Sequence, residues 1–400
     1  MKKAIVVIGA NYGDEAKGAY TDFFASQADD SIVIRFNGGA QAGHTVQLGL
    51  DRIIFSHFGS GSLAGRPTYL SEFFVNHPML FIQEWDNLAS KFITPKVYVH
   101  PNGLVTTPWD MMLNQLKELK RKKTGEHHGS VGVGFGETVE RQSTEYALTV
   151  KDLKSPYLLG KLRAIKNIYF IEQIKKFELE REYSFFKETM ESPFIEDNFI
   201  HNINFFLAKI IIWDYTVINE YKISIFEGAQ GLLLDMDKGN FPHVTRSNTG
   251  LQNAISILKH LELNQLGMTE VDVYYLSRVY LSKHGAGPLP DEVEELIGVE
   301  VIDETNKKHD YQGSLRFAPL NHQELLDRTD IDFLLSKELK NIKFNKHICF
   351  SCVDQIKDAS VFSYETSKTV LPIKAYISYL KKHSSYCSYG PTRNDIRRNN

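Results

Sequence analysis

Short runs rich in Val, Ile, Tyr and Phe punctuate this chain: "AIVVIGA", "SIVIRFNGG", "KVYVHPNG", "ISIFEGAQG", "DVYYLSRVYLSK" and "HICFSCVD". Each ends in glycine or a polar loop, and segments of helical period separate them. That alternation predicts an α/β fold with a mostly parallel central sheet flanked by helices. In such sheets ligands bind beyond the carboxyl ends of the strands, where these polar loops lie. The stretch "TTPWDMMLNQLKELKRKK" reads as a helix: Thr107 can cap it, Pro108 suits its first turn, and Trp109, Met112, Leu116 and Leu119 form one apolar stripe. Its basic end reads as a solvated last turn that complements the helix dipole, and "TGEHHG" after it as a mobile loop. From about 145 to 222 the pattern is helical and heavily charged, with no chemistry of its own. Neither an internal repeat nor a low-complexity segment appears, so residues 1–400 read as a single elaborated α/β domain carrying a helical insertion at about 145–222.

Composition changes this picture little. Hydrophobic residues make up 42% and charged residues 24% of the 400 positions, an ordinary globular balance. A formal net charge of −3 gives no general footprint for nucleic acid or an anionic membrane. No apolar run approaches the roughly 20 residues of a membrane helix. The start, "MKKAIVVIGANYG", runs straight into glycines and reads as a first strand, not a signal segment. Three cysteines, Cys349, Cys352 and Cys387, are a sparse and odd set that fits a reducing, cytoplasmic setting. Cys349 and Cys352 have CxxC spacing with no second ligand pair, so buried strand thiols are the expectation.

Chemistry gathers in three glycine-rich loops. The first, "GANYGDEAKG", lies between a strand and a helix, where backbone N–H groups and the helix N-terminus bind anions, and Lys17 adds a point charge. It is not a Walker A loop, because Gly18 stands where that motif needs Ser or Thr. Asp14 and Glu15 are the anomaly. Beside a polyphosphate they need a cation between or work of their own; alternatively they are plain first-turn acids. The second loop, "RFNGGAQAGHTV", sets His44 at another glycine-rich strand end. The third, "FEGAQGLLLDMDKGNFPHVTRSNTG", carries Gln230, able to donate and accept at a heterocycle edge, and then Thr245, Ser247 and Asn248.

Together these loops resemble the adenylosuccinate synthetase family, with its "WGDEGKG", "GGxNAGHT" and "FEGAQG…LLDxDxGTYPYVTSSN" segments in the same order. "SKHGAGPLPDE" is similar to the family's "TRVGAGPFPTE", and "YGPTRNDI" to its "xGPxRxxT", so the resemblance runs from about residue 4 to 395. It implies a P-loop-related fold and a ligase. O6 of a 6-oxopurine nucleotide is phosphorylated by a nucleoside triphosphate, and the amino group of L-aspartate then displaces the phosphate. The resemblance makes Asp14 the base at N1 and, with the Gly43 carbonyl, a ligand of Mg²⁺. It makes His44 the general acid at the leaving phosphate, and gives catalytic positions to Lys17 and Gln230. Gly13, Glu15, Ala16, Lys17, Gly18, Gly43, Thr45, Asp354, Ser388, Gly390 and Pro391 fall to the nucleoside triphosphate, with Asp354 at its base. Asn11, Gln41, Ser130, Gln230 and Thr245 fall to the acceptor nucleotide, with Ser130 in the loop that holds its 5′-phosphate. Arg141 corresponds to an arginine reaching into a neighbouring subunit, which implies a homodimer, and Arg316 is the clamp for the aspartate carboxylates. The implied partners are these small molecules, with neither nucleic acid nor membrane.

The sequence departs from the family in three places. "GSVGVGFGETVER" is short and lacks a central arginine; "QGSLRFAPLN" keeps one arginine of several; "FSCVDQIKD" holds Asp354 but has Cys352 for the lysine that covers guanine. The last change weakens the case for GTP and opens the site to ATP. Together they resemble the divergent bacteriophage branch, the 2-aminoadenylosuccinate synthetases, which use dGMP and can use ATP. That reading, set in a host cytoplasm, is favoured over an ordinary enzyme using IMP and GTP. A nucleotide-binding regulator without turnover and a P-loop phosphotransferase are the other readings. Retention of Asp14, Lys17 and His44 speaks against the former, and the missing hydroxyl after Lys17 against the latter.

Overall fold

The uniformly buried strand Ser31–Arg35 marks the chain's centre, since a run without polar alternation needs cover on both faces. The structure is a computed structural model, and it describes residues 2–49, 51–124, 130–263, 267–302, 314–357, 360–364 and 367–399. Its main sheet has ten strands. We number them β1 (Lys2–Gly9), β2 (Ser31–Arg35), β3 (Thr68–Leu70), β4 (Val97–Val99), β5 (Ile211–Ile212), β6 (Ile223–Glu227), β7 (Met268–Arg278), β8 (Lys343–Ser351), β9 (Tyr386–Ser388) and β10 (Ile396–Arg398). The spatial order is β10-β9-β8-β7-β1-β6-β2-β3-β4-β5. Every neighbouring pair is parallel except β9 with β10. The expected mostly parallel α/β sheet is therefore what the chain forms.

Strand β1 lies between β6 and β7, with Val7 opposite Glu227 on one side and Tyr274 on the other. The carboxyl ends of β1, β2, β6, β7 and β8 thus come side by side, and the glycine loops of the sequence issue from three of them. Helix α1 (Lys17–Ser26) follows the first loop, and Phe24 packs on Tyr274 with ring centroids 4.6 Å apart. Beside the sheet a hairpin pairs His44–Leu48 with Asp51–Phe55.

Helix α2 spans Pro108–Thr124, and the expected cap is present: the Thr107 hydroxyl accepts from Asp110 N at 3.3 Å while its own N–H donates to Asp110 Oδ2 at 2.8 Å. Such a reciprocal arrangement satisfies two amides the helix leaves open. Its basic end is less solvated than the pattern implied. Lys120 donates to Phe177 O at 2.8 Å and Lys123 pairs with Glu182 at 2.8 Å, fastening α2 to the insertion. The insertion is helical over Leu158–Lys209 in several segments, and Phe170, Phe199, Ile203 and Phe206 join Trp109, Leu113 and Leu116 in one apolar cluster. The stretch "GEHHG" (125–129) lies outside the described residues.

Helix α3 (Phe135–Gln142) carries Arg141, and here one expectation is corrected. The Arg141 side chain is 1% exposed. Its fork meets both oxygens of buried Asp110 at 2.9 and 2.8 Å, and its remaining nitrogens donate to Tyr146 O and Val105 O at 2.8 Å. A guanidinium with every edge engaged inside its own chain has none left to extend into a neighbour. Arg141→Leu should therefore leave Asp110 buried and unpaired and cost about 3–5 kcal/mol of stability. Denaturant unfolding measures this, and a loss under 1 kcal/mol would contradict the assignment.

Candidate functional site

A cavity of about 930 Å³ opens at the carboxyl ends of β1, β2, β6, β7 and β8. Its wall is built first by the loop after β1. Gly13 and Asp14 have φ of 93° and 57°, and Ala16, at the N-cap of α1, has φ of 68°. Ala16 thus holds a left-handed conformation that costs a residue with a Cβ about 1–2 kcal/mol. Gly18 has its own reason. A Cβ there would lie 2.7 Å from Thr45 O and 3.1 Å from His44 C. The hydroxyl of a Walker loop is missing because the His44 hairpin packs directly against this turn.

The two acids of the loop have separate fates. The Asp14 side chain is 38% exposed and lines the cavity, with Oδ2 3.6 Å from His284 Nε2. Glu15 turns inward: Oε1 accepts from Asn11 N at 2.6 Å, Oε2 has no partner among the described residues, and burial pushes its pKa up to about 8. Near neutrality Glu15 therefore holds its proton and does not repel an incoming phosphate. Lys17 is buried beside it, and burial lowers its pKa.

His44, at the start of the hairpin, is the most tightly determined group. Its Nδ1 lies 2.7 Å from Glu227 Oε1, at the end of β6. The Ser60 hydroxyl donates to the same oxygen, and Ser60 N to the other at 3.0 Å. Burial would raise Glu227, but His44, Arg35 and Ser60 together outweigh it and hold the carboxyl below its usual range. Burial, aided by the Arg35 charge, pushes His44 down to about 4. The ring is thus neutral with its proton on Nδ1, toward the carboxylate, and Nε2 is buried without a partner on the cavity side.

The remaining expected residues fall into two groups. Gly43, Thr45, Gln41, Ser130, Gln230 and Thr245 line the cavity, as do Asp354, Ser388, Gly390 and Pro391. Gln41 presents both amide atoms buried and unpaired among the described residues, as a ligand-facing amide would. Cys352 also lines the wall, in a left-handed turn just past β8; Cys349 and Cys387 are buried on β8 and β9, and all three thiols are free.

Asn11 and Arg316 do not line the cavity. Asn11 donates to Ser277 Oγ at 2.9 Å and accepts from Arg328. Arg316 is locked by Glu292 at 2.7 Å and by the carbonyls of Gly285 and Gly287 at 3.1 and 2.8 Å, so as it stands its fork is taken. Part of its loop, residues 303–313, lies outside the described residues.

Five groups were missed: Glu227, Arg278, Lys283, His284 and Arg246. Glu227 was visible as an acid ending the apolar run "ISIFE", which is where a buried carboxylate behind a site would stand. Lys283 lines the cavity and burial brings it down to about 8. Arg278 donates to Asp14 O and to Tyr280 Oη at 3.0 Å, fixing the first loop to the end of β7. For Mg²⁺ the fit is that of a shared site. Asp14 and Gly43 open on one cavity, the described residues hold no cluster of three His, Cys, Asp or Glu, and Mg²⁺ commonly takes one or two protein oxygens and draws the rest from phosphate and water.

The model of the adenylosuccinate synthetase family matches residues 6–314. The chain belongs to the adenylosuccinate synthetase family. It is 30% identical to the adenylosuccinate synthetase of Anaeromyxobacter sp. (strain K) over 303 residues, 74% of this chain and 66% of that protein. It is equally 30% identical to that of Synechocystis sp. over 304 residues, 75% and 65%. The match thus spans slightly under two thirds of these relatives' length. Among solved structures, the fully ligated adenylosuccinate synthetase of Plasmodium falciparum superposes with a TM-score of 0.73 at 17% identity, covering 99% of both chains. The cyanophage S-2L succinoaminodeoxyadenylate synthetase bound to dGMP and dATP gives 0.62 at 14%, covering 100% of this chain and 96% of that one. At these identities the likeness is one of fold. No helix among the described residues is long and apolar enough to cross a membrane.

The buried acid of this family's first loop sets a stability test. The folded pKa of Glu15 lies above its unfolded value, so the folded state binds the extra proton and stability falls as pH rises from about 4.5 to about 8. Glu15→Gln keeps the Asn11 contact without the ionisation. Its melting temperature should match wild type near pH 5, exceed it increasingly up to pH 8, and keep a constant lead above that. Parallel curves for the two proteins would show that Glu15 titrates normally.

Proposed function

We propose that this protein is a carbon–nitrogen ligase that joins L-aspartate to C6 of a 6-oxopurine nucleoside monophosphate through a 6-phosphoryl intermediate. The observation that carries the reading is the meeting of Asp14, Lys17 and the bare Nε2 of His44 on one cavity wall. Asp14 takes the N1 proton, which places electron density on O6. O6 then attacks the γ-phosphorus, and the bond from that phosphorus to the β-phosphate oxygen breaks. Charge grows on the departing diphosphate, and His44 meets it. Alone the imidazole is neutral, but the negative charge of a bound triphosphate favours its protonation at Nε2, and Glu227 is in place to share the imidazolium charge through Nδ1. The aspartate amine then adds to C6 and inorganic phosphate leaves. Mg²⁺ held by Asp14 and the Gly43 carbonyl would offset the charge between carboxylate and phosphates. Gln230 faces the same space and suits the purine edge.

For the substrate pair, dGMP with ATP is the favoured reading, giving 2-amino-2′-deoxy-N6-succinoadenylate. Cys352 in place of a lysine removes the stem that would cover guanine in the donor site. A fold shared with a cyanophage enzyme bound to dGMP and dATP supports the same direction. IMP with GTP is the second reading, supported by the relatives' names. A cytoplasmic homodimer, encoded by a phage in the favoured reading, goes with the family, although Arg141 no longer argues for the dimer.

Purified protein incubated with aspartate, Mg²⁺ and each nucleotide pair decides between them by chromatography of the product. The expected product forms with dGMP and ATP; formation only with IMP and GTP would select the second reading. Asp14→Ala and His44→Asn should each abolish turnover while nucleotide binding survives, and Glu227→Gln should lower kcat by about a hundredfold. Undiminished turnover in the Asp14 or His44 variant would remove the assigned roles.

A further inference from the structure

One wing of the cavity holds the Ser130 turn, to which the resemblance gives the acceptor's 5′-phosphate. It is organised by α2. Asn114 Oδ1 accepts from the Ser130 hydroxyl at 2.9 Å and from Gly134 N at 3.3 Å, and Gly132 and Gly134 hold φ of 81° and 78°. This curls residues 130–134 into a tight turn that leads into α3, with Ser130 and Thr245 both on the cavity wall.

The cations around that turn differ in what already engages them. Arg141 is sealed against Asp110. Lys117 is buried between Glu137 at 3.4 Å and Glu140 at 3.3 Å. Arg121 pairs with Glu118 at 2.5 Å. Arg246, directly after Thr245, is different. Its side chain is 52% exposed and lines the cavity, and its stem passes over Gly136 in the first turn of α3, with Cγ 3.7 Å from where a Cβ would stand. Glu140 meets one of its nitrogens, Nη2, at 2.7 Å, and that carboxylate is already shared with Lys117. The motif quoted for the family has serine at this position, so the guanidinium is a feature of this chain.

We infer that Arg246 grips the 5′-phosphate of the acceptor nucleotide from within the same chain, so that this subsite is complete in a single subunit. A guanidinium fork, the Thr245 hydroxyl and the amides of a glycine turn are a donor set that a phosphate monoester takes. The phosphates of the donor have Lys17 and the first loop instead. The inference rests on the ligase reading, and it adds both the residue and the subunit that supplies it.

Steady-state kinetics of Arg246→Ala test it. KM for the nucleoside monophosphate should rise by about 10- to 100-fold, the range of a lost charge-assisted contact. KM for the triphosphate and kcat at saturation should stay within about twofold of wild type. Arg246→Lys should fall between, because it keeps the charge and loses the fork. The acceptor nucleoside without its phosphate should react equally slowly with wild type and Arg246→Ala. An unchanged KM for the monophosphate, or an equal rise for both nucleotides, would overturn the assignment.

The subunit of origin is tested by mixing Asp14→Ala chains with Arg246→Ala chains at low monophosphate, after dissociation and reassembly. A site complete in one chain gives no activity beyond the sum of the two variants. An arginine supplied across a symmetric dimer would restore about one quarter of wild-type activity, which would refute the single-chain claim. Wild type inactive on every 6-oxopurine monophosphate would instead refute the ligase reading beneath it.

Discussion

The carboxylate of Glu227 is the contact on which the site depends. It stands fully buried at the end of β6, between the strands that launch the first two glycine loops, and receives the Nδ1 proton of His44 together with the hydroxyl and amide of Ser60. An ionised group in such a place is costly unless every oxygen is satisfied, and here both are. The result is a histidine whose orientation and tautomer are dictated from behind while its other nitrogen faces the cavity. Remove that carboxylate and the hairpin keeps its backbone pairing with Asp51–Phe55 but loses the force that aims the ring.

The loop that looked paradoxical in the sequence becomes consistent once burial is considered. Its two acids are adjacent in the chain and opposite in environment: Asp14 faces the cavity, and Glu15 faces the interior and is protonated near neutrality. The crowded Gly18 is a further consequence of packing α1 against the His44 hairpin. The loop therefore combines the backbone donors of a phosphate site with a single exposed carboxylate, which suits proton removal from a substrate more than simple anion capture.

Much of this was legible in the chain. Parallel strands were readable because apolar runs ended in glycine, and the Thr107–Pro108 start of α2 because capping is a local interaction. The glycine loops were readable because their conformations allow few residue types. Arg141 was misjudged, and the present partner of Arg316 went unforeseen, for one shared reason. An arginine's role depends on which acid reaches it first, and Asp110 lies 31 residues from Arg141 and Glu292 lies 24 from Arg316. Glu227 and Arg246 went unassigned because their meaning also lies in contacts across the sheet and across the cavity. Sequence reveals where backbone must bend; it is much poorer at saying which charge pairs with which.

The central claim is that the purine oxygen itself attacks phosphorus after Asp14 takes the ring proton. Oxygen-18 placed at C6 of the acceptor nucleotide tests this directly. The account predicts that every turnover delivers the label into inorganic phosphate, detected as an isotope shift in its phosphorus-31 resonance. Product formed with unlabelled phosphate, the heavy oxygen appearing in water instead, would contradict it.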